Sequence, residues 1–224
     1  MAPSGTTLPA DTLAPGCSTP PAPEEDHSAN DAAANTAANT AAGFVQAASN
    51  LRQQAQNALN AAVTAAGQIE ADEATCTSEN AAAEAGQATC EEKLAACEGV
   101  TDVATLQGYE SEAVVAKNAA QAASNLVGGA YAEAIASRDV DFASATPLID
   151  QARDGLEALK NQCQAQVDIA GANQDTEVQQ AALASAQVAC NQINLDFDFA
   201  NDAQQQAAGL ASEIETDINT CNEL

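Results

Sequence analysis

From Leu51 to Cys97, apolar and small residues recur in a three–four rhythm, with whole seven-residue steps between 69 and 90: Leu51, Ala55, Ala58, Ala62, Ala65, Ile69, Cys76, Ala83, Cys90, Leu94 and Cys97. That period belongs to a helix with one apolar stripe. It returns over 103–137, where Leu106, Tyr109, Ala113, Ala116, Ala120, Ala123 and Val127 share a side. A third stretch carries Ile149, Ala152, Leu156, Leu159, Cys163, Val167 and Ala170. The fourth is the most regular. From Leu183 through Ala186, Cys190, Ile193, Phe197, Ala200, Gln204, Ala207, Ala211, Ile214 and Ile218 to Cys221, steps of three and four alternate without a miss. Only NLDFDFAND at 194–202 adds a strand-like alternation, and the helical period runs through it.

Breakers divide these stretches. Gly99 supplies a helix stop, and Thr101 or Asp102 can cap the next helix. Gly128 and Gly129 predict a kink or break, and RDVDFASAT at 138–146 predicts a connection. Thr146 before Pro147 predicts a helix start, because proline in the first turn loses no intrahelical bond. Gly171, Asn173 and Asp175 mark a turn, and Thr176 with Gln179 forms a capping box. TCTS at 75–78 is the weakest point of the first helix, since Thr and Ser compete for backbone bonds. The expected fold is all-α: an elongated antiparallel helical bundle or coiled coil of about four long Ala-rich helices, crosslinked by disulfides. The lengths do not match. A helix from Phe44 to Cys97 is roughly 80 Å long and the third roughly 35 Å, so part of the first must project, bend or find a partner in another chain.

Six of the seven prolines fall in the first 23 residues, so residues 1–27 read as a flexible Pro-rich tail and 28–224 as the helical domain. TLAPGC at 12–17 resembles a lipidation box only superficially, since no hydrophobic run precedes it. Residues 28–43 are low in complexity; Ala with Asn favours helix, and the pattern alone leaves disorder open.

Composition then thins the core. Hydrophobic residues make up 46 %, but many are alanine, with no Trp, four Phe and two Tyr. Each buried alanine contributes little at ~25 cal/mol per Å², while allowing helices to approach closely. The scarce aromatics, among them Tyr109, Tyr131, Phe44 and Phe197, are expected to anchor packing contacts. The formal charge is −26, from 32 acidic and 6 basic residues. It argues against nucleic acid and anionic membranes as partners and predicts a strongly solvated surface. Weak cation binding, a saline setting or a basic partner are the sharper readings. No run reaches the ~18 apolar residues that cross a membrane.

Seven cysteines without a CxxC pair point to an oxidising compartment and a secreted protein. Residues 1–27 lack the basic start and apolar run of a signal peptide, so this reading takes a leader to have been removed. A cytosolic chain would instead keep its thiols free. The disulfide candidates are Cys17, Cys76, Cys90, Cys97, Cys163, Cys190 and Cys221. Cysteines seven apart on one helix lie ~10 Å apart, beyond the ~7 Å a disulfide spans, so Cys90 and Cys97 need partners elsewhere. A four-helix bundle brings Cys90 or Cys97 to Cys163, Cys76 or Cys90 to Cys190, and Cys221 toward Cys17. An odd total leaves one thiol free or joining two chains. Small buried residues without crosslinks are the alternative.

Catalytic chemistry finds no footing. The only histidine, His27, sits in the tail, so no Cys–His or Ser–His pair is nominated. Clustered zinc ligands, a phosphate loop and a GxSxG turn are absent from the sequence, and no cofactor is expected. Two D-x-D starts, at Asp139 and Asp196, lack the glycine and glutamate of an EF-hand. The expected function is a non-enzymatic secreted structural or interaction protein that self-associates or binds an extracellular protein. In composition it resembles the Ala-core coiled-coil proteins of some silks and secreted glues, or Ala-rich helical surface coats. Ligand binding is the alternative, either a small molecule between helices or ice. Helical ice binders are similar in being Ala- and Thr-rich; Thr64 and Thr75 fit their eleven-residue register, whereas Gln53 and Gly86 interrupt it.

Overall fold

The computed structural model describes residues 26–224. The expected tail over residues 1–25, with Cys17, lies outside them. The described residues are helical apart from short turns, with α1 over Ser28–Ala96, α2 over Val103–Ala136, α3 over Ala143–Ala170 and α4 over Glu177–Glu223.

Helix α1 starts where the Ala/Asn/Thr segment starts. Its first turns are buried at Ala34, Ala37, Ala38 and Ala41, so tertiary packing supplies what sequence complexity does not. Gln–Asn pairs one turn apart (46–50, 53–57 and 56–60) bond across its outer face and take the part that ion pairs play in more charged helices. TCTS does not interrupt it. Thr75 and Ser78 donate to main-chain carbonyls and Thr77 to Glu73, all within the same helix. Gly99, at φ +79°, turns the chain through a conformation that suits glycine. Asp102 caps α2 by accepting from the Thr105 amide and hydroxyl, which holds its carboxyl below the usual range.

The expected connection at 138–146 is not one. Residues Ser137–Phe142 form a π turn, and the helix passes through it from α2 into α3. Three long rods result rather than four, among the described residues. The reason lies in the stripe. Buried positions on α2 include Ala130 and Ala134, and the next is Phe142, a step of eight where the helical rhythm supplies seven. A π turn absorbs one extra residue, and Phe142, Ala145 and Ile149 return to the core face. Pro147 sits inside α3 on an exposed face, where water can satisfy the carbonyl that its ring leaves without a donor. Gly128 and Gly129 likewise remain in helix, with open space at both.

Fusion of α2 and α3 reverses the expected direction of the last helix. Helix α4 runs parallel to α1 and antiparallel to α3, packed along both and barely touching α2. On α1 the contact face is a seven-residue ladder, Ala34, Ala41, Ala48, Ala55, Ala62, Ile69 and Cys76, each at most 3 % exposed. The few large side chains, Ile69, Ile149, Leu156, Ile193 and Ile214, fill the remaining space. The result is a three-rod shaft. Beyond Cys76, α1 and α2 continue as a two-helix arm about 30 Å long.

Candidate functional site

The shaft is clasped at the end where the chain enters it. Thr176 Oγ1 and Gln179 Nε2 both donate to Asp31 Oδ1, at 2.7 and 2.8 Å. The Gln179 amide donates back to Thr176 Oγ1, and Gln179 Oε1 accepts from the Asp175 amide. Thr176 therefore supplies the N-cap half of the box, while the Gln179 side chain reaches one residue further, to Asp175, and the two together tie the N-terminus of α4 to the first turn of α1. Gln179, fully buried, uses both ends of its amide. The box was readable; Asp31 was not, because its partners lie about 145 residues away.

Cysteines brace α4 along its length. Cys163 and Cys190 lie at disulfide distance, Cα to Cα 5.6 Å, joining α3 to α4. Cys76 and Cys221 do the same between α1 and the far end of α4, at 5.4 Å. These partners correct the expected ones. Cys163 meets neither Cys90 nor Cys97, and Cys190 meets neither Cys76 nor Cys90. With α2 and α3 fused, Cys163 lies at the opposite end from the 97–102 turn. Cys221 is brought to Cys76 rather than toward the end where residue 26 enters. Cys90 and Cys97 are unpaired among the described residues and half-buried.

These two thiols lie on the arm. Ala83, Cys90 and Cys97 continue the seven-residue ladder beyond Cys76, past the described end of α4. Leu94, Leu106, Ala113 and Val114 complete a groove of about 370 Å³ beside them, with Glu110 and Lys117 at its edge. Leu94 is 57 % exposed. On the far side the arm's helices touch closely: a Cβ on Gly86 would lie 3.0 Å from Ala120 Cβ. Lys93 pairs with Glu112 at 2.9 Å and stands over the Tyr109 ring. The hydrogen bond to Glu112 raises the lysine's pKa.

The acidic candidates are engaged elsewhere. Asp139 pairs with Arg138 at 2.7 Å. Asp196 is buried, accepts from Gln192 and lies 3.7 Å from Arg52, which itself stands over Phe199. No group of three or more His, Cys, Asp or Glu side chains among the described residues is arranged to hold a metal. His27 Nδ1 lies 3.9 Å from Asp175 at the clasped end. Between α1 and α4, Glu70, Glu213 and Asp217 line a shallow groove. Partial burial, then the charges of Glu73, Glu70 and Glu213, raise the pKa of Asp217. A raised carboxyl favours the fold at low pH, and that contribution is lost as pH climbs through the folded-state value. Asp217→Asn should therefore stabilise the shaft at pH 7 by less than about 1 kcal/mol after solvent screening, with no advantage below pH ~4. Urea titrations at the two pH values check it.

No protein-family profile matches the chain, and no curated protein or solved structure matches it either. No helix among the described residues is long and apolar enough to cross a membrane.

Proposed function

We propose that the chain is a non-enzymatic structural or interaction protein of an oxidising, extracellular setting. Its shaft acts as a three-stranded coiled coil with an alanine seam, and its arm engages copies of itself or another extracellular protein. The observation that carries this reading is the mismatch between rods. Both cysteine pairs fall on α4 and brace the seam it covers, while the same ladder on α1 runs on through Ala83, Cys90 and Cys97 with no third helix over it among the described residues. The seven-residue period supports a coiled coil, since a strict heptad keeps one face toward its partners only if the rods supercoil. The acidic surface supports a long-lived soluble rod.

Small-angle scattering and a cysteine map of protein from its natural source test the proposal. A particle about 100 Å long, oxidised at Cys163–Cys190 and Cys76–Cys221, is expected. Seven reduced thiols in that material, or a compact particle, would reject it. A second reading, an apolar small molecule held on the arm, is favoured by the nearly unbroken apolar wall beside Leu94. Fluorescence enhancement of an apolar dye, lost in Leu94→Asp, would support that reading.

A further inference from the structure

We infer that the arm is a docking surface for the arm of a second copy, antiparallel to the first. Cys90 of each copy is then joined to Cys97 of the other. The inference deepens the self-association reading and rests on it. Its first support is continuity. The face of α1 that receives α4 as far as Cys76 is the face that carries Ala83, Cys90 and Cys97. What fits the covered part of that face is an alanine-rich helix with cysteine in register, and the α1 half of the arm is such a helix. The second support is symmetry. Cys90 and Cys97 are seven residues apart and both unpaired among the described residues. A two-fold axis passing α1 between Lys93 and Leu94 sets each thiol against the other's counterpart, so both bonds close together. The same axis brings Lys117, at the groove edge, level with the acidic turn of the other copy, at Glu98 and Asp102. The chain's own Cys17 does not reach these thiols. It lies eleven residue steps before Ser28, a span of at most ~40 Å, whereas α1 carries Cys90 about 93 Å from its start.

Closure is a two-electron oxidation and needs an acceptor, here a small-molecule disulfide of the glutathione class. The thiolate of Cys90 attacks it, breaking its S–S bond and releasing one small thiol. The thiolate of Cys97 from the second copy then displaces the other half, forming the Sγ–Sγ bond. Two electrons pass to the small disulfide, and the two cysteine protons leave on the two released thiols.

The test uses the full chain with Cys17→Ser throughout, in a buffer of oxidised and reduced glutathione. The parent should form a covalent dimer of twice its 22.5 kDa mass. Cys90→Ser or Cys97→Ser alone should lower the covalent dimer at least tenfold, because across the axis each remaining thiol is ~10 Å from its twin. Mixing those two variants in equal amounts should restore a heterodimer, with peptide mapping placing its bond between Cys97 of one chain and Cys90 of the other. Single variants that dimerise as well as the parent, or a mixture that stays monomeric, would overturn the pairing. A parent that scatters light as an oligomer yet forms no Cys90–Cys97 bond would overturn the arm geometry and leave self-association standing. A series monomeric throughout, parent included, would overturn both.

Discussion

Replacing Cys221 with serine is expected to lower the unfolding free energy by about 4–5 kcal/mol, the largest effect of any single change in the shaft. The cross-link spans 145 residues, and constraining so long a loop removes more freedom from the unfolded chain than the 27-residue span of Cys163–Cys190. Loop-closure entropy puts the two at roughly 5 and roughly 3.5 kcal/mol. Local packing adds to the difference. Cys76 and Cys221 are both almost fully buried, beside Ala130 and against Val127 and Tyr131. At ~2–4 °C per kcal/mol for a chain of this size, the midpoint should fall by roughly 10–20 °C. Thermal unfolding followed by circular dichroism, with and without reductant, checks the assignment. In reductant, which opens both pairs, parent and variant should share one still lower midpoint, and an unchanged midpoint for oxidised Cys221→Ser would show that the pair does not hold the shaft.

Ala48→Leu should do nearly as much damage by adding atoms. Ala48 is fully buried, on the ladder where α1 lies against α3 and α4. Three further carbons require the rods to separate or the side chain to leave its rotamer, which costs about 3 kcal/mol. The exposed neighbour Ala47 provides the control. Ala47→Leu should change stability by no more than about 0.5 kcal/mol, because leucine is nearly as good a helix former as alanine. Urea unfolding of the pair separates seam packing from helix propensity. Equal midpoints would mean that the alanine seam is not closely packed.

The helical content was legible in the three–four rhythm, the cap at Thr176 was legible in its own residue, and the cap of α2 was narrowed to Thr101 or Asp102, of which Asp102 serves. The number of rods was not. RDVDFASAT contains no glycine to force a turn, and Thr146–Pro147 serves equally as a helix start or as an exposed proline inside one. The deciding signal was the eight-residue step from Ala134 to Phe142, which is meaningful only once both positions are known to face the same core. That ambiguity propagated directly to the cysteines. A chain reversal at 138–146 sends Cys221 toward the tail, whereas a continuous helix sends it to Cys76. Cys90 and Cys97 were legible as seam positions, but which partner covers them depends on where α4 ends along α1. Helix at 28–43 and the Asp31 clasp were hidden for the same reason: their partners come from the far end of the chain.

The parallel course of α1 and α4 bears on how tension would travel through the molecule. With Cys76 and Cys221 bonded, a pull applied at Ser28 and Leu224 passes through α1 only as far as Cys76, then crosses the sulfur bridge to the C-terminal turn. The arm, α2, α3 and nearly all of α4 belong to a closed covalent loop outside that load path. Stretching can therefore unravel only residues 28–76, giving a hard stop at ~170 Å, while the arm keeps its shape under force.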